Sequence, residues 1–348
     1  MQGRRANSRD VAELAGVAQA TVSRALRDGT SCSPETRRRV EDAARKLGYN
    51  IDVNARKLRS QRTNTLVLLL NEERIVAGSY INPFFLAMLS SVVKETTSHG
   101  LDLLISFQQD SEDCLADFGD SHKADGIIFL SYGNFKESAH KAYADKAARL
   151  AENRMPFVTW GPGGRGLPGH FVGSDNVGGA RAAVQHLIAE GRRRIVFIGE
   201  YSEIAPEFHD RYRGYVQALR EAGLPVLPEL QVDALISEEA GFRAVSRLLD
   251  AGVAFDGVFG SCDLMAFGAI KALQDRGVKI PHDVAIVGFD DLPSARSSTP
   301  PLSTVRQDTE EAGKNLVKIL LSLIDGHPAG SVVLPTSLVV RESSKLPS

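Results

Sequence analysis

Gln19, Ala20, Thr21, Ser23 and Arg24 place an amide, two hydroxyls and a guanidinium within six consecutive positions. Groups of these kinds hydrogen-bond phosphate oxygens and the edges of bases. To act together they must project from one face of one short element. Residues 10–26 supply it: they read as two short helices joined by a tight turn at Gly16. The second helix turns those five residues outward, while Val22, Ala25 and Leu26 keep an apolar face. A helix-turn-helix has this layout, with one helix braced against the backbone and the next lying in the major groove. The segment implies sequence-specific contact with double-stranded DNA.

The charge distribution agrees. Residues 1–62 hold 14 Lys/Arg and 7 Asp/Glu, a formal charge of +7. The whole chain is −2, so the remaining residues carry −9, from 27 basic and 36 acidic side chains. A basic head can neutralise phosphates, and an acidic body is repelled by them. With 348 residues the chain can hold two or three domains with sizeable cores. No apolar signal core follows Met1, and no run of 18 apolar residues occurs, so neither secretion nor membrane insertion is expected. Cys32, Cys114 and Cys262 are odd in number and widely spaced, which fits structural thiols in a reducing cytoplasm.

A third helix is expected from Ser33, a good N-cap, with Pro34 at the first helical position and Glu35 beside the positive helix end. It should stop at Gly48. Val11, Leu14, Val17, Val22, Leu26, Val40 and Leu47 are the expected core of this small domain, residues 1–50. Residues 51–62 read as a linker ending in a helix-prone stretch. Its apolar anchors, Val53, Ala55 and Leu58, are too few to hold a short helix alone, so it can fold on contact with DNA.

The residues from Asp10 to Val17, the run Thr21-Val-Ser-Arg24, Ser33-Pro-Glu-Thr-Arg-Arg-Arg-Val40, Leu47-Gly-Tyr49 and Ala55-Arg-Lys-Leu58 together resemble the lactose-repressor (LacI/GalR-type) family of bacterial regulators. The resemblance implies that Gln19, Ala20 and Arg24 face bases. Arg24 has the geometry for a bidentate contact to guanine, while Thr21 and Ser23 serve phosphate or the helix cap. It also implies that Leu58, with Ala55 beside it and Asn54 and Arg59 in the same hinge, wedges into the minor groove at the operator centre. Two departures stand out. Ile51 occupies a place where the family usually has proline, and Ala18 replaces a frequent serine that could cap the second helix.

Beyond residue 62, apolar runs alternate with amphipathic stretches. Strands are expected at 65–70, 102–107, 126–130, 157–160, 194–199, 257–259 and 284–289. Helices are expected at 84–98, 178–190, 211–222, 238–250, 263–276 and 309–324. This alternation implies parallel sheets covered on both faces. It spans too much chain for one sheet, and the Gly/Pro-rich run 161–169 interrupts it. The expectation is therefore an all-α head and an α/β body, 63–348, of two Rossmann-like lobes. The N-lobe would comprise about 63–160 and 292–325, the C-lobe about 163–290 and 331–345, with crossings near 161–169, 291–301 and 325–335. The family's regulatory body resembles periplasmic sugar-binding proteins, which implies a type I binding-protein fold closing on a ligand at the strand carboxyl ends.

A sugar's hydroxyls want carboxylate, amide or guanidinium partners, and its apolar faces want an aromatic plate. Asp290 follows an expected strand and so sits at a carboxyl end. The family resemblance places a ligand-binding aspartate there and an effector-binding arginine at Arg211. Asp263 could bind ligand or cap its helix. Asn82 offers an amide. Phe84, Phe85, Trp160 and Phe259 lie near strand ends, and each fits a stacking role or plain core packing equally. Cys262 stands where relatives often carry a polar ligand contact, so the effector's chemistry cannot be copied from them.

No Gly-x-Ser-x-Gly, His-Glu-x-x-His or Gly-x4-Gly-Lys-Ser/Thr motif occurs, and the histidines show no metal-ligand pairing, so neither an enzyme, a cofactor nor a metal is expected. The reading is a cytoplasmic transcriptional regulator, expected to be a repressor of carbohydrate-utilisation genes. It would be a homodimer on a near-palindromic operator, controlled by a small carbohydrate-like effector. The chain ends soon after Arg341 without a leucine-heptad tail, hence a dimer rather than a tetramer. The alternatives are a sugar-binding module without a regulatory role, or a regulator answering a purine or nucleoside.

Overall fold

In a computed structural model, residues 6–26, 32–49, 62–70, 73–75, 78–107, 123–130, 137–161, 168–203 and 205–345 are described. The chain forms two units, Met1–Thr63 and Asn64–Ser348. Among the described residues no helix is long and apolar enough to cross a membrane.

An asparagine starts the first unit. Asn7 accepts from the backbone N–H groups of Arg9 and Asp10, and the Asp10 carboxylate accepts from the Asn7 N–H, a capping box that opens α1 (Ser8–Ala15). Gly16, at φ 62°, lets the chain leave α1 in the left-handed region and enter α2 (Gln19–Ala25). Ser33 caps α3 (Pro34–Lys46), with proline at its first turn. Arg39 of α3 donates to the Ala15 carbonyl at 2.6 Å, tying α3 to the turn. Val11, Ala12, Ala15, Val22, Ala25, Val40, Ala43 and Ala44 form the core, with Val17 and Leu26 packed against it. Leu14 and Leu47, expected inside, are 52% and 36% exposed. The alanines let the helices approach closely, which leaves these leucines on the outward strip.

The second unit contains two six-stranded sheets. The first has the order β13-β7-β6-β5-β1-β4, with β1 (Thr65–Leu70), β4 (Asp102–Phe107), β5 (Gly126–Phe129), β6 (Phe157–Trp160), β7 (His170–Ser174) and β13 (Val332–Leu334), all parallel. The second has the order β14-β12-β11-β10-β8-β9, with β8 (Ile195–Ile198), β9 (Gln231–Val232), β10 (Gly257–Gly260), β11 (Ala285–Asp290) and β12 (Ser303–Gln307) parallel and β14 (Thr336–Val339) antiparallel at its edge. A small antiparallel hairpin, β2 (Glu73–Ile75) and β3 (Gly78–Tyr80), stands apart.

Helices α4 (Pro83–Ser98), α5 (Glu137–Glu152) and α10 (Thr309–Ile324) belong to the first lobe. Helices α6 (Asn176–Ala189), α7 (Pro206–Glu221), α8 (Glu238–Asp250) and α9 (Asp263–Gln274) belong to the second. Glycines let the helix pairs meet. A Cβ on Gly214 of α7 would come within 2.3 Å of the Val177 carbonyl of α6, and one on Gly268 of α9 within 1.9 Å of the Glu238 carbonyl of α8.

The lobes divide elsewhere than expected. β7 pairs with β6, so the first crossing follows Ser174 rather than falling within 161–169. β12 pairs with β11, so residues 292–307 stay in the second lobe and the second crossing follows Gln307. β13 returns to the first sheet, and the third crossing is at Pro335. A Gly/Pro run marks a turn, but only pairing partners decide which sheet the next strand joins. The crossings are bonded to one another: Asp175 N–H donates to the Leu334 carbonyl, and the Thr336 hydroxyl to the Asp175 carbonyl.

Candidate DNA interface and effector site

On α2, Gln19, Ala20 and Arg24 are exposed, and Thr21 and Ser23 are half-buried. The Gln19 amide donates to the Ser8 hydroxyl at 2.8 Å, which anchors the start of α2 to α1. Ala18 is the N-cap and supplies no side-chain hydrogen bond, as its replacement of serine implies. The exposed trio lies opposite buried Val22 and Ala25, the arrangement a major-groove helix needs. Asn54, Ala55, Leu58 and Arg59 lie outside the described residues.

In the second unit the ends of β11, β12 and β7 bring four polar side chains together. Arg211, on the second turn of α7, is buried. Its Nε donates to Asn176 Oδ1 at 2.8 Å and its Nη1 to the Ser261 carbonyl at 2.5 Å. Its guanidinium stacks on Phe289, 3.9 Å from the ring centre, and faces Phe208 at 4.9 Å. Asp290 ends β11. Its Oδ1 accepts from Gln307 Nε2 at 2.7 Å and lies 3.6 Å from Arg211 Nη1. Nη2 of Arg211 and Oδ2 of Asp290 take part in none of the hydrogen bonds among the described residues. The pair thus keeps one donor and one acceptor atom in reserve. Next to them a cavity of about 240 Å³ is lined by Phe84 and Ala87 of the first lobe and by Asp290, Asp291, Arg296, Arg306 and Gln307 of the second.

The other expected ligand residues divide. Asn82 spends its side chain on the Phe84 N–H as the cap of α4. Phe84 reaches the cavity, with Phe85 at 5.5 Å and Trp160 at 5.8 Å behind it, so Trp160 and Phe85 back the plate rather than form it. Phe259 is a core residue: it is fully buried against Phe197 on the other face of β10. Asp263 neither caps its helix, whose N-cap is Cys262, nor lines the cavity. It accepts from the Leu292 N–H at 2.7 Å and the Thr304 hydroxyl at 2.5 Å, stitching α9 to the turn after β11 and to β12. Asn176 and Gln307 were not anticipated. Asn176 follows β7 and Gln307 ends β12, strands whose mixed polar and apolar residues form no apolar run to announce them.

Burial pushes the Asp290 carboxyl up to about 6, against the opposing pull of the Arg211 charge and the Gln307 hydrogen bond. Burial, followed by the Asp290 charge, drives Asp263 well above the usual carboxylate range despite its Thr304 and Leu292 hydrogen bonds. Burial and then Asp290 also raise the Cys262 thiol, so it stays neutral. Among the described residues no group of three His, Cys, Asp or Glu could hold a metal ion.

A helix-turn-helix head joined to a two-lobed clamp with a polar cleft defines a ligand-responsive DNA-binding protein as a class. Residues 9–51 match the family described as "Bacterial regulatory proteins, lacI family", and residues 184–344 the "Periplasmic binding protein-like domain". The chain is 32% identical to the HTH-type transcriptional regulator CelR of Thermobifida fusca over 342 residues, covering 96% of each protein. It is 31% identical to the HTH-type transcriptional repressor CytR of Escherichia coli K12, covering 98% of this chain and 96% of that one. The solved structure of a "transcriptional regulator CelR-cellobiose complex" superposes with a TM-score of 0.69 at 31% identity, covering 97% of this chain and all of that one. The protein belongs to the LacI family of DNA-binding transcriptional regulators, and its relatives are regulators, not enzymes.

Two measurements test these assignments. Arg24→Ala should weaken specific operator binding by roughly 1–3 kcal/mol while sparing non-specific binding, read by competition gel-shift; unchanged discrimination removes Arg24 from base reading. A carboxyl raised on folding makes the native state bind the extra proton, so its contribution to stability falls as pH rises from near 4 through about 6. Relative to Asp290→Asn, the wild-type protein should therefore lose about 2 kcal/mol between pH 4 and pH 7 in urea denaturation. A pH-independent difference would contradict the raised carboxyl.

Proposed function

We propose that this chain is a repressor of carbohydrate-utilisation genes, released or recruited by a small carbohydrate-like effector held between its two lobes. The Arg211–Asp290 pair, with Asp290 lining the cavity, Arg211 behind it, and Nη2 and Oδ2 unused, carries this reading. A sugar hydroxyl is at once donor and acceptor and satisfies both atoms, and Phe84 offers an apolar plate. The cellobiose named for the CelR structure supports a saccharide as the ligand class. Effector binding would draw the lobes together about the crossings at 174, 307 and 335. It would thereby set whether the hinge residues Asn54, Ala55, Leu58 and Arg59 order on DNA. The setting would be the cytoplasm, where operator DNA is.

A homodimer accounts for a second feature. Leu104, Ile105 and Phe107 on β4, the edge of the first sheet, are 42–45% exposed, and Leu86 and Val93 on neighbouring α4 are 46% and 40% exposed. An apolar edge strand is a hazard unless covered, and a second copy covers it with two-fold symmetry. Two-fold symmetry in the protein matches a near-palindromic operator.

A gel-shift on the protein's own upstream DNA, with and without cellobiose and a panel of mono- and disaccharides, tests the function. The expected result is a specific shift altered by a saccharide. Arg211→Ala and Asp290→Ala should abolish that response and leave the shift itself intact. A response to a purine or nucleoside alone overturns the sugar reading, and salt-sensitive binding without sequence preference overturns the regulatory one. Light scattering should give the mass of a dimer, which Leu104→Glu/Phe107→Glu should convert to monomer; a wild-type monomer at micromolar concentration refutes the interface.

A further inference from the structure

Asp290 and Asp291 sit at φ 123° and 53°, two consecutive residues with side chains in backbone regions that favour glycine. Such a conformation persists only where its surroundings over-determine it. Here four bonds do so. The Leu292 N–H is held by Asp263, and the Asp291 N–H by the Thr304 hydroxyl at 3.3 Å. The Asp291 carboxylate takes Arg306 Nε at 2.7 Å and Arg341 Nη2 at 2.5 Å. Asp291 is 3% exposed and Arg341 13%, whereas Arg306 is 46% exposed, so the Arg341 contact is the shielded one. Burial works against the Asp291 charge, but the two arginines outweigh it and hold the carboxyl below its ordinary value.

Arg341 is itself fixed. Its Nη1 donates to the Leu302 carbonyl at 2.6 Å and its backbone N–H to Ser303 Oγ at 2.7 Å. It lies just past β14, on the strand that has left the third crossing at Pro335. It makes no hydrogen bond to Arg211 and does not itself line the cavity, reaching its wall only through Asp291.

We propose that Arg341, acting through Asp291, is a positioning residue for effector recognition: it latches the turn after β11 so that the Asp290 carboxylate points at Arg211 and Gln307. This rests on the reading that Asp290 serves the effector. The latch also connects the last interlobe crossing to the recognition carboxylate, so movement of that crossing reaches Asp290 through one guanidinium. Arg211, Asp263, Asp291, Cys262 and, across the β11–β12 pairing, Arg306 surround Asp290, with Arg296, Asp308 and Glu310 lining the same cavity; of these Arg341 hydrogen-bonds only Asp291.

Arg341→Lys and Arg341→Met in the full-length protein test the latch, with Asp291→Asn/Arg341→Met as the charge-neutral pair should Arg341→Met fail to fold. In the ligand-free protein, amide exchange at Asp291 and Leu292 should quicken at least tenfold with β8 and β10 unchanged. The Asp290 titration, followed by carboxyl NMR, should fall toward the ordinary carboxylate range. A merely structural role would quicken exchange everywhere and leave one carboxyl's titration in place. Folded variants with unmoved Asp290 titration and unchanged local exchange overturn the proposal. By calorimetry with cellobiose, the variants should bind at least tenfold more weakly than wild type while operator affinity holds, with Arg341→Lys intermediate; equal affinity overturns the recognition role. Wild-type protein that binds no cellobiose counts against that sugar alone, because the titration and exchange arms still decide the latch.

Discussion

Arg211 and Asp290 are a charge pair held almost out of water, and neither is fully satisfied by the other. Their nearest approach is 3.6 Å, longer than a charge-assisted hydrogen bond, and each keeps an unused atom. Burying ions this way is costly unless neighbours compensate. Compensation comes from Asn176, the Ser261 carbonyl, the Phe289 ring and Gln307, contributed by α6, the turn after β10, β11 and β12. Much of the second lobe's carboxyl edge is therefore committed to holding one guanidinium and one carboxylate in place. Those contacts hold both side chains in one arrangement despite their burial.

The same constraint explains the turn that follows β11. Asp290 can face Arg211 only if the backbone takes an unfavourable path, and a second layer of polar contacts from Asp263, Thr304, Arg306 and Arg341 enforces that path. Asp263 illustrates the division of labour. It is a buried acid near the cleft, yet its work is to hold backbone and hydroxyl donors rather than ligand. The first and third crossings are bonded to each other, and Gln307 at the second pairs with Thr336 just past the third, so the three interlobe segments meet beside the residue that bonds Asp290.

The head depends on a different economy of contacts. Its core is largely alanine and valine, small enough for three short helices to meet closely, and a guanidinium from α3 satisfies the carbonyl at the helix-turn-helix corner. On the outer face of α2, the Gln19 amide rests on Ser8, and Ala20 and Arg24 are exposed.

What the chain's order of residues determined alone was whatever is encoded within one or two turns of it. Gly16 and Ser33 marked the helix boundaries by backbone geometry and capping. The outward set on α2 followed from helical spacing, and the alternation of apolar runs announced parallel sheets. Arg211 and Asp290 were legible too, the former through family resemblance and the latter also because it follows a strongly apolar strand. Only the tertiary structure decided which sheet β7, β12 and β13 join, because the mixed polar and apolar patterns of β7 and β12 and the three residues of β13 fit either lobe and pairing is settled by packing. It alone turned Phe259 into core, since a central strand presents apolar side chains to both faces. Gln307 reaches Asp290 across 17 residues of chain, and Arg341 reaches Asp291 across 50. Such partners are chosen by which strands lie side by side, a property of the packed sheets that no local spacing carries.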